Sequence, residues 1–125
     1  MDWSAWAFSA KLAWRHPWVR WLSVATALMF FGATGFYLWR IIPAAQQNGA
    51  AVMHYNIYLG IDDVRVWPWV FAWPLLWLTV TVTDLLWAYG QYREDPLVSY
   101  ALVALAFFWG FPWASALFYL SLINV

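Results

Sequence analysis

Residues 21–39 read WLSVATALMFFGATGFYLW, a stretch without a single Asp, Glu, Lys, Arg or His. An α-helix needs about 20 such residues to cross the hydrocarbon core of a bilayer. Lipid offers no hydrogen-bond partner to backbone N–H and C=O groups, so a stretch of this kind is stable there only as a helix. The sequence therefore predicts a first membrane-spanning helix that ends before Arg40.

Two further stretches meet the same criterion. Residues 67–90 contain one charged side chain, Asp84, near their end, and residues 100–124 contain none. The alternating residues 79–83 (TVTVT) would indicate a β-strand in water, but the length of the apolar stretch and the lipid environment favour a helix. The predicted fold class is therefore an all-α integral membrane protein with three transmembrane helices.

The composition supports this class. Hydrophobic residues make up 66% of the chain and charged residues 10%, whereas soluble domains average about a quarter charged residues. The 13 tryptophans are typical of membrane–water boundaries, where an amphipathic ring has one dry and one wet side. A formal net charge of zero argues against nucleic acid as a partner, and the lack of cysteine excludes disulfides and thiolate metal sites. The main expected partner is the lipid bilayer.

The first 20 residues are expected to form an N-terminal interfacial amphipathic helix. Small and Trp residues recur there near helical spacing, with basic residues on another side, and such a helix lies naturally at the headgroup boundary. The residues of the predicted apolar face are Trp3, Trp6, Ala10, Ala13 and Trp14. Residues 1–20 thus form one predicted segment, and residues 21–125 form a transmembrane domain with an ordered outer loop at 41–66.

Three helix ends are predicted from single residues. Asp2 lies next to the predicted N-terminus of the interfacial helix, where its negative charge would stabilise the positive end of the helix dipole. Pro17 is expected to end that helix close to His16. Asp95 and Pro96 are typical of a helix start, with the aspartate as cap and the proline at the first helical position.

The distribution of basic residues predicts the orientation in the cell membrane. A cytoplasmic N-terminus places four basic residues on the cytoplasmic side and two on the outer side, which is the arrangement that the positive-inside rule favours. The four are Lys11, Arg15, Arg20 and Arg93, and the two are Arg40 and Arg65. The C-terminus and the loop at 41–66 are then expected on the outer side.

The outer loop is expected to have two parts. Residues 43–49 (PAAQQNG) read as an irregular, solvated turn, whereas residues 54–59 alternate polar and apolar side chains, which indicates an extended strand. Gly60 permits a sharp turn, and Asp62 or Asp63 is expected to cap the helix that follows.

The second part of the loop is the candidate interaction site. Its residues are His54, Tyr55, Asn56, Tyr58, Gly60, Asp62 and Asp63. One interpretation is a rigid cap in which His54 hydrogen-bonds a carboxylate. The other is a metal site made by His54 with both aspartates, but the spacing matches no metal motif, so no bound metal is expected.

His16 and His54 are predicted near opposite membrane faces, so they cannot ligate the same haem. No cofactor and no catalytic site are expected.

Residues 54–62, HYNIYLGID, resemble the HYNIYFGID loop of uncharacterised small membrane proteins from candidate-phylum bacteria. The resemblance extends over the three spans to the Ile123–Asn124 pair. Leu59 stands where an aromatic residue is expected, and Asp84 where an amide is expected. The resemblance implies the three-span topology and carries no mechanism.

Asp84 is the one Asp, Glu, Lys, Arg or His side chain inside a predicted span. A carboxylate at the centre of a bilayer costs about 3 kcal/mol on insertion scales. Pairing with Arg93 or partial hydration would remove most of that cost, and this is the expected arrangement. The alternative is a role in moving protons or a substrate.

The sequence therefore favours a non-catalytic subunit or scaffold of a membrane protein assembly. Its expected partners are other membrane protein subunits or further copies of itself. Two alternatives stay open: an oligomeric, transporter-like protein that uses Asp84, and a metal-binding site in the loop from His54 to Asp63.

Overall fold

The computed structural model describes the backbone of residues 2–56 and 60–124 and the side chains of residues 2–53 and 64–124. The four α-helices are α1 (Trp3–Arg15), α2 (Pro17–Asn48), α3 (Ala72–Gln91) and α4 (Pro96–Ile123). Two strands, β1 (Ala50–Asn56) and β2 (Gly60–Val66), form a hairpin, and a 3-10 helix (Trp67–Phe71) leads into α3. The predicted all-α class is confirmed, with a small two-stranded sheet inserted into it.

Three helical segments of the described chain are long and apolar enough to cross a membrane: Pro17–Asn48, Trp67–Gln91 and Pro96–Ile123. The alternating residues 79–83 lie inside α3, so the prediction of a helix there is confirmed. Only 22% of the residues in the most apolar window of each segment are buried within the protein. The remaining apolar side chains need lipid or another protein to cover them.

The three helix ends predicted from single residues are confirmed. The Asp2 carboxylate accepts hydrogen bonds from the hydroxyl and the backbone N–H of Ser4, in the first turn of α1, and these bonds lower the pKa of its carboxyl group. His16 is extended because Pro17 follows it, and α1 ends there. Asp95 Oδ1 accepts the backbone N–H groups of Leu97 and Val98 at 3.1 and 3.2 Å, which caps the start of α4.

The predicted irregular turn at residues 43–49 is wrong, because α2 continues to Asn48. Ile41 and Ala45, one helical turn apart, are both fully buried, so their packing stabilises the additional turns. Pro43 is accommodated inside the helix, although it lacks the N–H donor of an ordinary residue. The helix ends at Gly49, whose φ of 74° suits glycine better than any other residue.

The chain divides into two compact units. The first unit comprises Met1–Met29 and Leu78–Phe111, and the second comprises Phe30–Trp77 and Pro112–Val125. The core of the first unit is formed by Ala13, Val19, Ala88 and Val103. Fully buried side chains of the second unit include Tyr37, Ile41, Val70, Trp77 and Leu117. Each unit is described separately below.

Candidate functional site

The hairpin of the second unit contains one irregularity in each strand. β1 and β2 are antiparallel, with Ala50 paired to Val66 at one end and Asn56 paired to Gly60 at the other. The strand register skips Met53 in β1 and Asp62 in β2, so neither residue is paired with a residue of the opposite strand. Because each strand has one extra residue, the two bulges compensate and both ends stay in register.

Asn124 fixes the outer edge of β1. Its Oδ1 accepts the backbone N–H of Val52 at 2.6 Å, and its Nδ2 donates to the Val52 carbonyl at 2.8 Å. The same Nδ2 donates to the Leu120 carbonyl at 2.9 Å, which holds the amide on α4. The side chain thus satisfies Val52 as the backbone of a third strand would.

The bulge at Met53 gives β1 a second anchor. Met53 is buried, and its carbonyl accepts a hydrogen bond from the indole Nε1 of Trp73 at 2.9 Å. At the base of the hairpin the backbone N–H of Trp67 donates to the Gly49 carbonyl at 3.2 Å. β1 is therefore held at Val52, at Met53 and at its base.

The described side chains of β2 are more exposed than the buried side chains of β1. Val64 is 56% exposed and Val66 is 60% exposed, and in the described chain β2 pairs with no strand other than β1. The Arg65 guanidinium lies 5.3 Å from the ring centroid of Trp69, beside a cavity of about 200 Å³ that Met53 and Trp73 also line. The hairpin is thus anchored through β1, whereas the described side chains of β2, at residues 64–66, are exposed.

The predicted site residues lie at the far end of this hairpin. The extended conformation is confirmed for His54, Tyr55 and Asn56, which belong to β1. The prediction that Asp62 or Asp63 caps a helix is wrong, because both lie in β2 and the 3-10 helix begins after Val66.

The register pairs His54 with Asp63 across the two strands. A hydrogen bond between these side chains stays a prediction, since the side chains of residues 54–63 lie outside the described set, and Tyr58 lies in the undescribed segment 57–59. Among the side chains that are described, no three His, Asp or Glu residues come together. The candidate ligands His54, Asp62 and Asp63 are not among them.

Asp84, in the first unit, borders a cavity of about 260 Å³. Its Oδ2 is buried and accepts no hydrogen bond within the described chain. The predicted pairing with Arg93 is not formed there, because the Arg93 guanidinium lies over the ring of Phe8, 5.5 Å from its centroid.

Helix α1 docks on the C-terminal end of α3 through small residues. Ser9 Oγ donates to the carbonyls of Tyr89 and Gly90, at 2.8 and 3.0 Å, and accepts the backbone N–H of Arg93 at 3.0 Å. The indole of Trp6 donates to the Leu86 carbonyl at 3.0 Å. Ser9 thus satisfies the carbonyls of Tyr89 and Gly90, which belong to the last four residues of α3 and have no partner within the helix.

The buried face of α1 overlaps the predicted apolar face only in part. Ser9 and Ala13 are buried, whereas Trp3 is 73% exposed and Trp14 is 48% exposed. Within the predicted face, Ala13 is therefore buried and Trp6 contacts α3, whereas Trp3 and Trp14 point outward. Ser9, which was not part of the predicted face, makes three further hydrogen bonds to this region. Outward-facing indoles are what an interfacial helix would present to lipid.

His16 is part of the aromatic packing of the first unit. Its ring centroid lies 4.9 Å from that of Tyr100 and 6.2 Å from that of Tyr92. Its Nδ1 is buried and has no hydrogen-bond partner within the described chain. The hydrogen bond to Tyr100 raises the pKa of the Tyr92 hydroxyl above its usual value.

The residues that anchor the hairpin were missed by sequence reasoning. The sequence analysis named Asn124 only as part of the Ile123–Asn124 pair, and it predicted no role for Trp73. The signal for Asn124 was present: an amide directly after a long apolar stretch needs partners for its donors and acceptor. Which backbone groups it binds depends on residues about 70 positions away, at Val52.

The fold defines the class of this protein, a small multi-pass membrane protein with three candidate spans. No protein-family model, no curated protein and no solved structure matches the chain.

Proposed function

We propose that the protein is a non-catalytic subunit or scaffold of a membrane protein assembly, and that its hairpin is the contact surface for another membrane protein. One observation carries the proposal: β1 is fixed by Asn124 and Trp73, whereas β2 has exposed apolar side chains and no further strand beside it in the described chain. A two-stranded hairpin is marginally stable alone. The anchoring of β1 therefore serves to present β2 in a fixed position.

A protein partner explains β2 better than lipid does. An open sheet edge is not tolerated against hydrocarbon, because its N–H and C=O groups have no partners there. In water, an exposed apolar edge strand promotes pairing with other chains, and proteins normally cover it. A partner that adds a strand or loop to β2 satisfies its backbone and buries Val64 and Val66 at the same time.

The predicted interaction residues are consistent with this surface. His54 and Asn56 lie in β1 and Asp62 and Asp63 in β2, close to the end of the hairpin. Polar side chains are typical of the rim of a protein–protein interface, and aromatic side chains are enriched in its buried centre. Under the proposed orientation, with a cytoplasmic N-terminus, this surface faces the outer side of the cell membrane.

Purification from the native membrane tests the proposal. The tagged protein is extracted in mild detergent, and the chains that accompany it are identified and quantified by mass spectrometry. We expect a companion membrane protein in fixed ratio with the wild type, and its loss with Val64→Arg, because the new charge disrupts the exposed face of β2.

Leu97→Arg is the matched control. Leu97 is 75% exposed and lies in the first turn of α4, in the first unit, so the substitution adds the same charge at another exposed apolar position. We expect the companion to be retained with this variant. Recovery of the wild-type chain alone, or retention of the companion by Val64→Arg, would contradict the proposal.

A second candidate function, transport by an oligomer, is favoured by one observation. Asp84 places an unpartnered carboxylate oxygen beside a cavity in a membrane-spanning helix, and such residues often mark the path of an ion or substrate. Transport requires a binding step at Asp84.

A further inference from the structure

A cavity of about 330 Å³ lies in the first unit, between α1 and the C-terminal end of α3. Its charged side chains are Asp2, before α1, and Arg93 and Glu94, in the loop after α3, and all three residues are exposed. The membrane-spanning segment that contains α3 ends at Gln91. The cavity therefore lies where the hydrocarbon core of the bilayer gives way to the lipid headgroups.

The walls of the cavity are fixed and partly apolar. Leu86 and Trp87 line it on the α3 side and are 49% and 60% exposed, and an exposed indole at this depth is typical of the headgroup region. Trp6 and Ser9 line it on the α1 side, and their hydrogen bonds to α3 hold the two helices together. The cavity is thus preformed, with an apolar wall on the membrane-spanning helix and charges at the loop.

The charges of the cavity favour a zwitterionic ligand. Arg93 and Glu94 are consecutive, so a cationic and an anionic side chain border the cavity from one loop. The Arg93 guanidinium lies 5.5 Å from the ring centroid of Phe8, and neither it nor the Glu94 carboxylate forms an ion pair within the described chain. Because Asp2 adds a second carboxylate, a ligand with only negative charge is disfavoured here.

We propose that this cavity binds the headgroup of phosphatidylethanolamine. The lipid phosphate accepts hydrogen bonds from the Arg93 guanidinium, whose planar fork suits phosphate oxygens. The lipid ammonium group donates to the Glu94 carboxylate, and the acyl chains pack beside Leu86 and Trp87. The lipid is the proposed occupant, and not free phosphoethanolamine, because only a ligand with hydrocarbon chains uses the apolar wall. This inference is independent of the scaffold function.

Binding is measured by native mass spectrometry of the full-length protein in detergent micelles. The probes are phosphatidylethanolamine, phosphatidylcholine and phosphatidylglycerol with identical acyl chains, each titrated separately. We expect one tightly bound phosphatidylethanolamine per chain, with an affinity about 5-fold higher than that of the other two lipids. Phosphatidylcholine has the positive charge without an N–H donor, and phosphatidylglycerol has no positive charge.

Two substitutions test the two ends of the headgroup. Arg93→Gln should weaken phosphatidylethanolamine binding about 10-fold, because it removes the charged donor to the phosphate. Glu94→Gln should remove the preference for phosphatidylethanolamine over phosphatidylcholine and leave the affinity for phosphatidylcholine unchanged. Circular dichroism of each variant establishes that the helices are intact.

Each substitution has a matched control. Arg20→Gln removes a guanidinium that also lies over an aromatic ring, 5.4 Å from the centroid of Trp21, but Arg20 does not line the cavity. Asp95→Asn removes a carboxylate next to Glu94 and outside the cavity, while the amide oxygen still caps α4. Both controls should bind phosphatidylethanolamine with wild-type affinity.

Equal affinity of the wild type for the three lipids would overturn the proposal, as would wild-type phosphatidylethanolamine binding by Arg93→Gln. Free phosphoethanolamine distinguishes the two sources of this headgroup. It should not displace the lipid when both are present at the same concentration. Displacement would overturn the lipid as the occupant and indicate a soluble zwitterion instead.

Discussion

Asn124 illustrates how one side chain can complete a sheet edge. An amide has an acceptor and a donor on the same group, as a peptide unit does, and it uses both on Val52. The third contact, to the Leu120 carbonyl, fixes the orientation of the amide. The role of Asn124 therefore depends on all three groups being satisfied at once.

Asn124→Ala should free β1 from α4. The change leaves the N–H and C=O of Val52 without partners, which costs about 1–3 kcal/mol for each buried unsatisfied group. We expect faster amide hydrogen exchange at Val52 and Met53, measured by mass spectrometry or NMR in detergent micelles.

Asn48→Ala is the matched control, because Asn48 is an exposed asparagine at the end of α2. Exchange in β1 should be the same in this variant as in the wild type. If Asn124→Ala also exchanges at the wild-type rate, then the amide does not hold the strand.

At the scale of single elements, α1 is positioned by the last turns of α3 and not by its own apolar pattern. Ser9 and Ala13 allow a close approach, and Gly90 makes room for the indole of Trp6. A Cβ atom on Gly90 would lie 2.8 Å from Trp6 Cδ1 and 3.0 Å from its Nε1. Glycine is required here because of the neighbouring side chain.

Gly90→Ala should therefore loosen α1. The new methyl group displaces the Trp6 indole and weakens its bond to the Leu86 carbonyl, with an expected loss of about 1–3 kcal/mol, typical of overpacking. Trypsin should then cleave faster after Lys11 and Arg15, which gel electrophoresis over a time course measures.

Gly35→Ala is the control for this substitution. Gly35 lies inside α2, and a Cβ atom there has nothing within 4 Å. Since alanine favours a helix over glycine by about 1 kcal/mol, thermal stability should stay the same or rise. A wild-type cleavage rate for Gly90→Ala would mean that Trp6 moves aside without cost.

The C-terminal part of α2 and the bulges of the hairpin were not predicted from the sequence, for physical reasons. Residues 43–48 have the composition of a turn, yet burial of Ile41 and Ala45 continues the helix through them. The bulges at Met53 and Asp62 leave no clear mark in a polar–apolar alternation. The single-residue signals at Pro17 and Asp95 succeeded because caps and proline act on their immediate neighbours.

At the scale of the whole molecule, many large apolar side chains remain exposed on the spans, among them Leu28, Phe31, Trp87 and Phe108. Their exposure fits lipid as the surrounding solvent. An odd number of spans predicts that the two termini lie on opposite sides of the bilayer. The resemblance to proteins with a HYNIYFGID-type loop stays a prediction.

The orientation is tested with reporters fused to the full chain. Alkaline phosphatase, which is active only outside the cytoplasm, should be active after Val125, and a green fluorescent protein there should stay dark. Both results follow from the excess of basic residues near the N-terminus. A reporter inserted after Arg93 is the internal control and should give the opposite pair of signals. Fluorescence from the C-terminal fusion would reverse the assignment.

The sequence by itself determined that three apolar stretches are helices and that Asp2, Pro17 and Asp95 mark helix ends. These features depend on the length of a stretch, on the solvent and on adjacent residues. Only the tertiary structure decided that α2 runs to Asn48, that Ser9 docks α1, that Asn124 holds β1 and that Asp84 borders a cavity. Each of these depends on packing or hydrogen bonds that form only when the chain folds, and most of them join residues far apart in the sequence, which no local pattern encodes.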